Sequence, residues 1–425
     1  MIPRTARRKR RLHRQSAACR LGLVLAVVAA VNDPAHGGAD DPYELPEESR
    51  VSLRVLLDLR VVRGTQASSW QEGGPGSLRY GGVQESNGSF ERVTRFAISQ
   101  LALEPSADLP WGVRFHAQLN WDGDIDDRGD TSPDHDVIRL VESYLRKDWG
   151  TSTDGWGVLA GVSNPSFSLE NSGPAWTPPY TLTPSALNSW LWEDGRVVGL
   201  EGEWWKTTRD DVDLNAFAGM GWGPDRMGIL LARRGWVLSD FLNGINNQFP
   251  LPGGTYGQQF DERDGRPALY VGGSVGDPWK IGKLAVGYFD NLGNLAVQGV
   301  WEMRYGVAGV ALQPIAGLDI LFQYLIGKTD TRTNSFDSIV QAFYPLISYR
   351  WRTHRVTFRY DDFRVQDEDG PPITRQRGHA FTVSYLFEFG LHHRLGFEYI
   401  TVDSTRAGVS PPGDDGWQIS YRFRY

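Results

Sequence analysis

Charged side chains recur at even spacings in several stretches of this chain. Arg54, Asp58 and Arg60 do so near the start, followed by Arg114 and His116. Arg355, Arg359 and Asp361 repeat the habit, as do Glu388, Arg394 and Glu398, and then Arg422 and Arg424. Two chemistries suit such rows. A row of guanidinium groups facing water lowers the barrier for anions, because guanidinium is always charged and its fork matches carboxylate or phosphate. Alternatively, the arginines pair with Asp58, Asp361, Glu388 and Glu398 and stiffen the surface that they share. The residue types leave both readings open.

Enzymatic chemistry is not signalled. The sequence has no G-x-S-x-G motif, zinc-ligand spacing or phosphate-cradling glycine loop. His392 and His393 fall at a predicted tight turn, His135 lies among aspartates and His116 sits mid-strand, so none completes a catalytic arrangement. A basic face for nucleic acid is missing too. Residues 122–136, DGDIDDRGDTSPDHD, set seven aspartates against Arg128. Their alternate placement resembles the start of a calcium loop. The glycine and closing glutamate of an EF-hand are missing, however, so the run reads as a solvated acidic loop. No cofactor and no metal are expected.

The rows of charge imply strands, because side chains two apart share a face only there. In WGVRFHAQLNW (111–121), Trp111, Val113, Phe115, Ala117, Leu119 and Trp121 form one face. In GWQISYRFRY (416–425), Trp417, Ile419, Tyr421, Phe423 and Tyr425 do the same. Such alternation predicts strands at 51–63, 90–104, 111–121, 137–147, 155–162, 196–206, 211–219 and 267–276. Eight more follow at 280–289, 294–312, 318–328, 336–350, 354–364, 378–389, 392–403 and 416–425. Alternation is weak in 137–147, 196–206 and 336–350.

A soluble sandwich and a transmembrane barrel both produce alternating strands. Three features favour the barrel. The strands run to about ten residues, as a tilted membrane strand requires, and carry aromatics at the ends of their apolar face. Their connections alternate between short (105–110, 148–154, 207–210, 277–279, 313–317, 351–353, 390–391) and mostly long (64–89, 122–136, 163–195, 220–266, 365–377, 404–415). Only 290–293 and 329–335 break that rule. The strand count, sixteen, is even. The expected fold is therefore all-β, an antiparallel transmembrane barrel of about 16 strands with short periplasmic turns and long extracellular loops.

Composition agrees. Among 425 residues, 12% are aromatic and the mean hydropathy is -0.38. No apolar run reaches the roughly 18 residues that a spanning helix needs. The first 37 residues read as a signal peptide: a basic head, an apolar run from Leu21 to Val31, then small residues. Without it, 36 basic residues face 50 acidic ones, a balance of -14, and the single cysteine, Cys19, is lost. Residues 38–50 form a short acidic lead-in and 51–425 the barrel.

The chain resembles Gram-negative outer-membrane porins of the phosphate-selective porin O and P superfamily. HRVTFRYDDFRVQDEDG (354–370), GHAFTVSYLFEFGLHHRLGFEYITVDSTR (378–406), GWQISYRFRY (416–425) and VLAGVSNPSFSLENSGP (158–174) carry the resemblance, over about a third of the length. It implies a homotrimer of sixteen-stranded, water-filled channels in the outer membrane, whose third loop folds inward. After the signal, however, lysine occurs only at Lys147, Lys206, Lys280, Lys283 and Lys328, so phosphate selectivity does not follow.

The resulting expectation is passive diffusion of small hydrophilic solutes, mildly anion-selective, past pore-lining residues drawn from the charged rows. A plugged structural barrel and a barrel hydrolase are the alternatives. The inward loop is expected at 163–195, with Phe167, Trp176, Tyr180, Trp190 and Trp192 stiffened by Pro165, Pro174, Pro178, Pro179 and Pro184. Its rings either narrow the pore or cap neighbouring loops. Glu193 and Asp194 are candidate constriction charges, with Arg196 beside them. Loop 220–266 is long enough to fold inward as well.

Overall fold

The computed structural model describes residues 51–124, 138–251, 255–258, 260–276, 282–331, 337–367, 375–406, 411 and 413–425. The leader, the lead-in and most of the acidic run 122–136 lie outside the described residues. Sixteen antiparallel strands close into one barrel. They are β1 (Val51–Arg63), β2 (Thr94–Leu109), β3 (Val113–Asp124), β4 (Arg139–Gly150), β5 (Asp154–Ser163), β6 (Val197–Thr207), β7 (Asp213–Trp222) and β8 (Ala268–Gly276). The second half comprises β9 (Gly282–Asp290), β10 (Glu302–Ile315), β11 (Leu318–Asp330), β12 (Ser338–Trp351), β13 (His354–Asp367), β14 (Gln376–Phe389), β15 (His393–Arg406) and β16 (Asp415–Arg424). Each pairs with its neighbour in sequence. The seam joins β1 to β16 in register from Leu56 opposite Arg424 to Arg63 opposite Trp417.

Period-2 alternation decides which face looks inward. On β15, Leu395, Phe397 and Tyr399 are exposed outward, while Arg394, Gly396, Glu398 and Ile400 are buried within the barrel. On β13, Phe358 points out at 57% exposure while Arg359 beside it is buried at 2%. An outward apolar face with a polar lumen is the pattern of a wall set in lipid.

One end of the barrel is drawn tight by short turns in which Gly317 and Gly390 take positive φ angles of 84° and 63°. Trp111 belongs to such a turn. It has a φ of 64° and lies within the single helical turn Pro110–Gly112, so the alternation expected from residue 111 starts at Val113 instead. A second difference concerns 294–301, expected to open a strand. Asn291 Oδ1 accepts the Gly293 and Met303 N–H groups, and Asn294 Oδ1 accepts that of Ala296. Asparagine turns of this kind divert the backbone from the ladder. The strand therefore begins at Glu302, and the connection runs over 291–301. That removes one of the two exceptions to the alternation of short and long connections.

Candidate functional site

The site is the lumen, and among the described residues three long connections enter it. In the connection after β5, Ser185 caps a helix, α1 (Ala186–Asp194), by accepting the Asn188 N–H, and all nine helix residues are buried. The connection after β7 contributes a short helix, α2 (Ile229–Arg233), together with buried Trp236, Leu238 and Phe241. The connection after β1 adds Trp70, Leu78, Arg79 and Tyr80.

The inserted segments pack against an apolar wall formed by β7 to β12. Phe167 lies 5.7 Å from Phe217 and 5.9 Å from Tyr305, ring centre to ring centre. Trp190 sits edge-on to Trp236 at 5.8 Å and to Tyr305 at 5.2 Å. Two lumen-facing glycines act as sockets. A Cβ on Gly287 would collide with the Phe167 ring, and one on Gly309 would stand 2.7 Å from Leu169 Cδ1. This wall explains the weak alternation of 336–350. On β12, Val340, Ala342, Tyr344 and Leu346 are buried inward, while Phe343, Ile347 and Tyr349 lie on the other face, so both faces are apolar.

The opposite wall is polar, and most of the charged rows meet there. Arg60 bonds Asp58 Oδ2 at 2.7 Å, and Arg422 bonds the same oxygen at 2.6 Å. Arg60 also reaches Asp240 at 2.7 Å, and Asp240 holds Arg79 at 2.9 Å. Arg79 and Arg139 then share Asp122. The result is a buried chain of alternating charge, Arg422–Asp58–Arg60–Asp240–Arg79–Asp122–Arg139, crossing four strands and two inserted connections. Arg359 bonds Asp361 and Glu170 at 2.8 Å each and donates to the carbonyls of Thr183 and Pro184. Asp361 and Glu398 accept backbone N–H groups from Ala186, and from Leu182 and Thr183. These groups are dry and engaged, so the paired reading describes them and the open ladder does not.

The other members of the rows stand outside this bonded network. Arg54 is half exposed, 3.9 Å from Glu104, and Arg114 faces Asp108 at the short-turn rim. His116 is buried, with Nδ1 3.0 Å from Ser106 Oγ. Glu388 lies 3.6 Å from Arg424 near that end. Arg394 is buried opposite Arg422 in the ladder, and its Nε and Nη2 atoms have no hydrogen-bond acceptor. Arg355 bonds Asp319 at 2.7 Å and lies over the Tyr180 ring at 5.0 Å.

The residues expected to face solute from loop 163–195 are mostly internal. Trp176 and Trp192 pack on each other at 4.0 Å. Glu193 is bonded through both carboxylate oxygens to Arg234, and Asp194 accepts from Trp190 Nε1 and the Gly228 N–H. Burial pushes the Glu193 carboxyl upward against the pull of Arg234, and pushes the Arg196 guanidinium down to about 10. Both acids fasten the two connections together rather than standing free at a constriction. Phe167 and Tyr180 do reach open space.

That space is a cavity of about 730 Å³ opening at the short-turn end, beside Ser152, Thr207, Asp213 and Gln313. It ends inward at Phe167, Leu169, Tyr180 and Gln323. Its charges are Glu203, Lys206, Asp213, Lys283 and Asp319, and Arg146 and Arg355 bond Glu203 and Asp319 from the margin. Of these, sequence reasoning named Arg355 as pore-lining and missed the rest. It also missed Arg79, Asp240 and Arg234, which lie in connections without a period to reveal their facing.

No known protein family model matches the chain, and no curated protein is similar to it in sequence. Solved structures share its fold. The outer-membrane channel DcaP of Acinetobacter baumannii is 12% identical over 88% of this chain and 97% of that one, with a TM-score of 0.55. The anion-selective porin from Comamonas acidovorans is 12% identical over 88% and 99%, at 0.52. OprB of Pseudomonas putida is 10% identical over 88% and 94%, also at 0.52. The architecture is thus that of the outer-membrane porins.

Proposed function

We propose that this chain is an outer-membrane channel for the passive diffusion of small hydrophilic solutes, restricted by its inserted connections. The observation that carries the reading is the water-accessible cavity within a closed sixteen-stranded wall, reaching from the short-turn end to Phe167 and Tyr180. A barrel of this strand number encloses a wide lumen, and selectivity then depends on what narrows it. Here the narrowing comes from 163–195 and the 223–267 connection together. The cavity charges and the groups bonded to them nearly balance, since Asp148 and Asp154 offset Arg146 and Arg355, so selectivity between anions and cations is mild. Residues 1–37 are removed on export. Barrels assemble as homotrimers in lipid, as the family resemblance implies.

A second reading, a plugged structural barrel, is favoured by one observation: α1 is buried throughout and bonded to both walls. Single-channel recording in a planar bilayer, with reversal potential under a salt gradient, separates the two. Steps grouped in threes with a small reversal potential are expected. Absence of conductance from folded protein would overturn the channel and leave the plug.

A further inference from the structure

Outside the lumen, three carboxylates converge without a counter-charge. Asp225, Glu262 and Asp264 each place an oxygen within 4.8 Å of the other two. No lysine or arginine forms a salt bridge with any of the three among the described residues. The neighbouring arginines are directed elsewhere: Arg263 bonds Asp261 at 2.5 Å, and Arg226 approaches the same carboxylate at 3.9 Å. Like charges at this spacing repel, and of the three the buried Asp225 is the least screened by solvent.

Asp225 supplies the second observation. It is 1% exposed, and its Oδ1 has no hydrogen-bond partner. Leaving a buried carboxylate oxygen unsatisfied is costly, so such an atom calls for an explanation. The rest of the site is held by backbone. Asp225 Oδ2 accepts the N–H groups of Arg263 and Asp264, and the Asp225 carbonyl accepts that of Trp301. Glu262 accepts from Gly223 and Gly265, and Asp264 from Arg266 and Asn294. The carboxylates are therefore oriented in advance, with lone pairs remaining on each.

We propose that Asp225, Glu262 and Asp264 form a binding site for a hard divalent cation, calcium in preference to magnesium. The donor set is oxygen only, which suits a hard cation better than zinc, whose sites are built mainly on histidine and cysteine. Its carboxylates sit on irregular backbone, which suits the variable coordination of calcium better than the strict octahedron of magnesium. The position gives the ion a role. Residues 225 and 262 bracket the excursion that carries α2, Trp236 and Leu238 into the lumen, so one ion would clasp the neck of that connection. The inference holds whether or not the barrel conducts.

The test uses the full chain refolded in detergent micelles. Terbium luminescence, sensitised by Trp301 and Trp222 beside the site, is displaced by calcium. Half-displacement is expected at about 0.1–1 mM calcium, the range of extracellular calcium modules. Glu262→Gln, at an exposed position that leaves the barrel intact, should weaken calcium at least tenfold, and Asp264→Asn likewise. Asp261→Asn, which removes a carboxylate already paired with Arg263, should leave the affinity unchanged. A terbium signal that calcium does not displace would overturn the site. So would a calcium affinity that survives in the Glu262→Gln, Asp264→Asn double variant, because the ion would then lie on another acidic stretch.

Discussion

The two walls of the lumen hold the same inserted segments by opposite means. On the β7 to β12 side, Phe217, Tyr270 and Tyr305 offer rings to Phe167 and Trp190, with Phe289 stacked on Tyr270 and Tyr305, and the contact is one of shape. On the side of β13 to β16 and β1, carboxylates of Asp361, Glu398 and Asp58 accept N–H groups from the inserted backbone and from buried arginines. Shape is forgiving of small volume changes, whereas a buried charge left alone is not. The polar wall should therefore be the brittle one and the apolar wall the adjustable one.

Asp58→Ala tests the brittle side. It would leave Arg60 and Arg422 without their shared carboxylate, at a cost of about 3–5 kcal/mol. Urea refolding into lipid vesicles, followed by tryptophan fluorescence, would read that loss. A cost near that of an exposed ion pair would mean that packing alone holds this wall. Gly287→Leu tests the adjustable side. It fills the socket of Phe167, and overpacking of this kind costs roughly 1–3 kcal/mol. The barrel should still form, and its conductance should change because the Phe167 segment is displaced from the end of the cavity. An unchanged conductance would separate that segment from the solute path. Arg146→Ala should have the smallest effect on stability. Its bonds to Asp148 and Glu203 are partly exposed, and such pairs contribute about 0–1 kcal/mol. The reversal potential should move towards cations, and a shift towards anions would reverse the roles assigned to the cavity charges.

Much of this molecule is legible in its sequence, and the exceptions share a cause. The strands of the polar wall stand out because outward Phe397 and Tyr399 alternate with inward Glu398 and Arg394. Those of the apolar wall are fainter, since β12 carries apolar residues on both faces. Trp111 fits an alternating pattern yet belongs to a turn, because alternation cannot mark where a ladder stops. Arg79, Asp240 and Arg234 could not be placed, since their partners lie far along the chain and no period links them.

The sequence by itself determined the barrel, a count of about sixteen strands and the facing of those strands that alternate cleanly. Those properties depend on local alternation and on the lengths of connections, which are properties of neighbouring residues. Only the tertiary structure decided what the inward residues do. Arg60, Arg359 and Arg422 carry the same charge as Arg54 and Arg114. The first three are dry and paired, whereas the other two are exposed, because the inserted connections cover some heights of the lumen and leave others open. Whether a guanidinium meets a carboxylate or water is settled by segments dozens to hundreds of residues away.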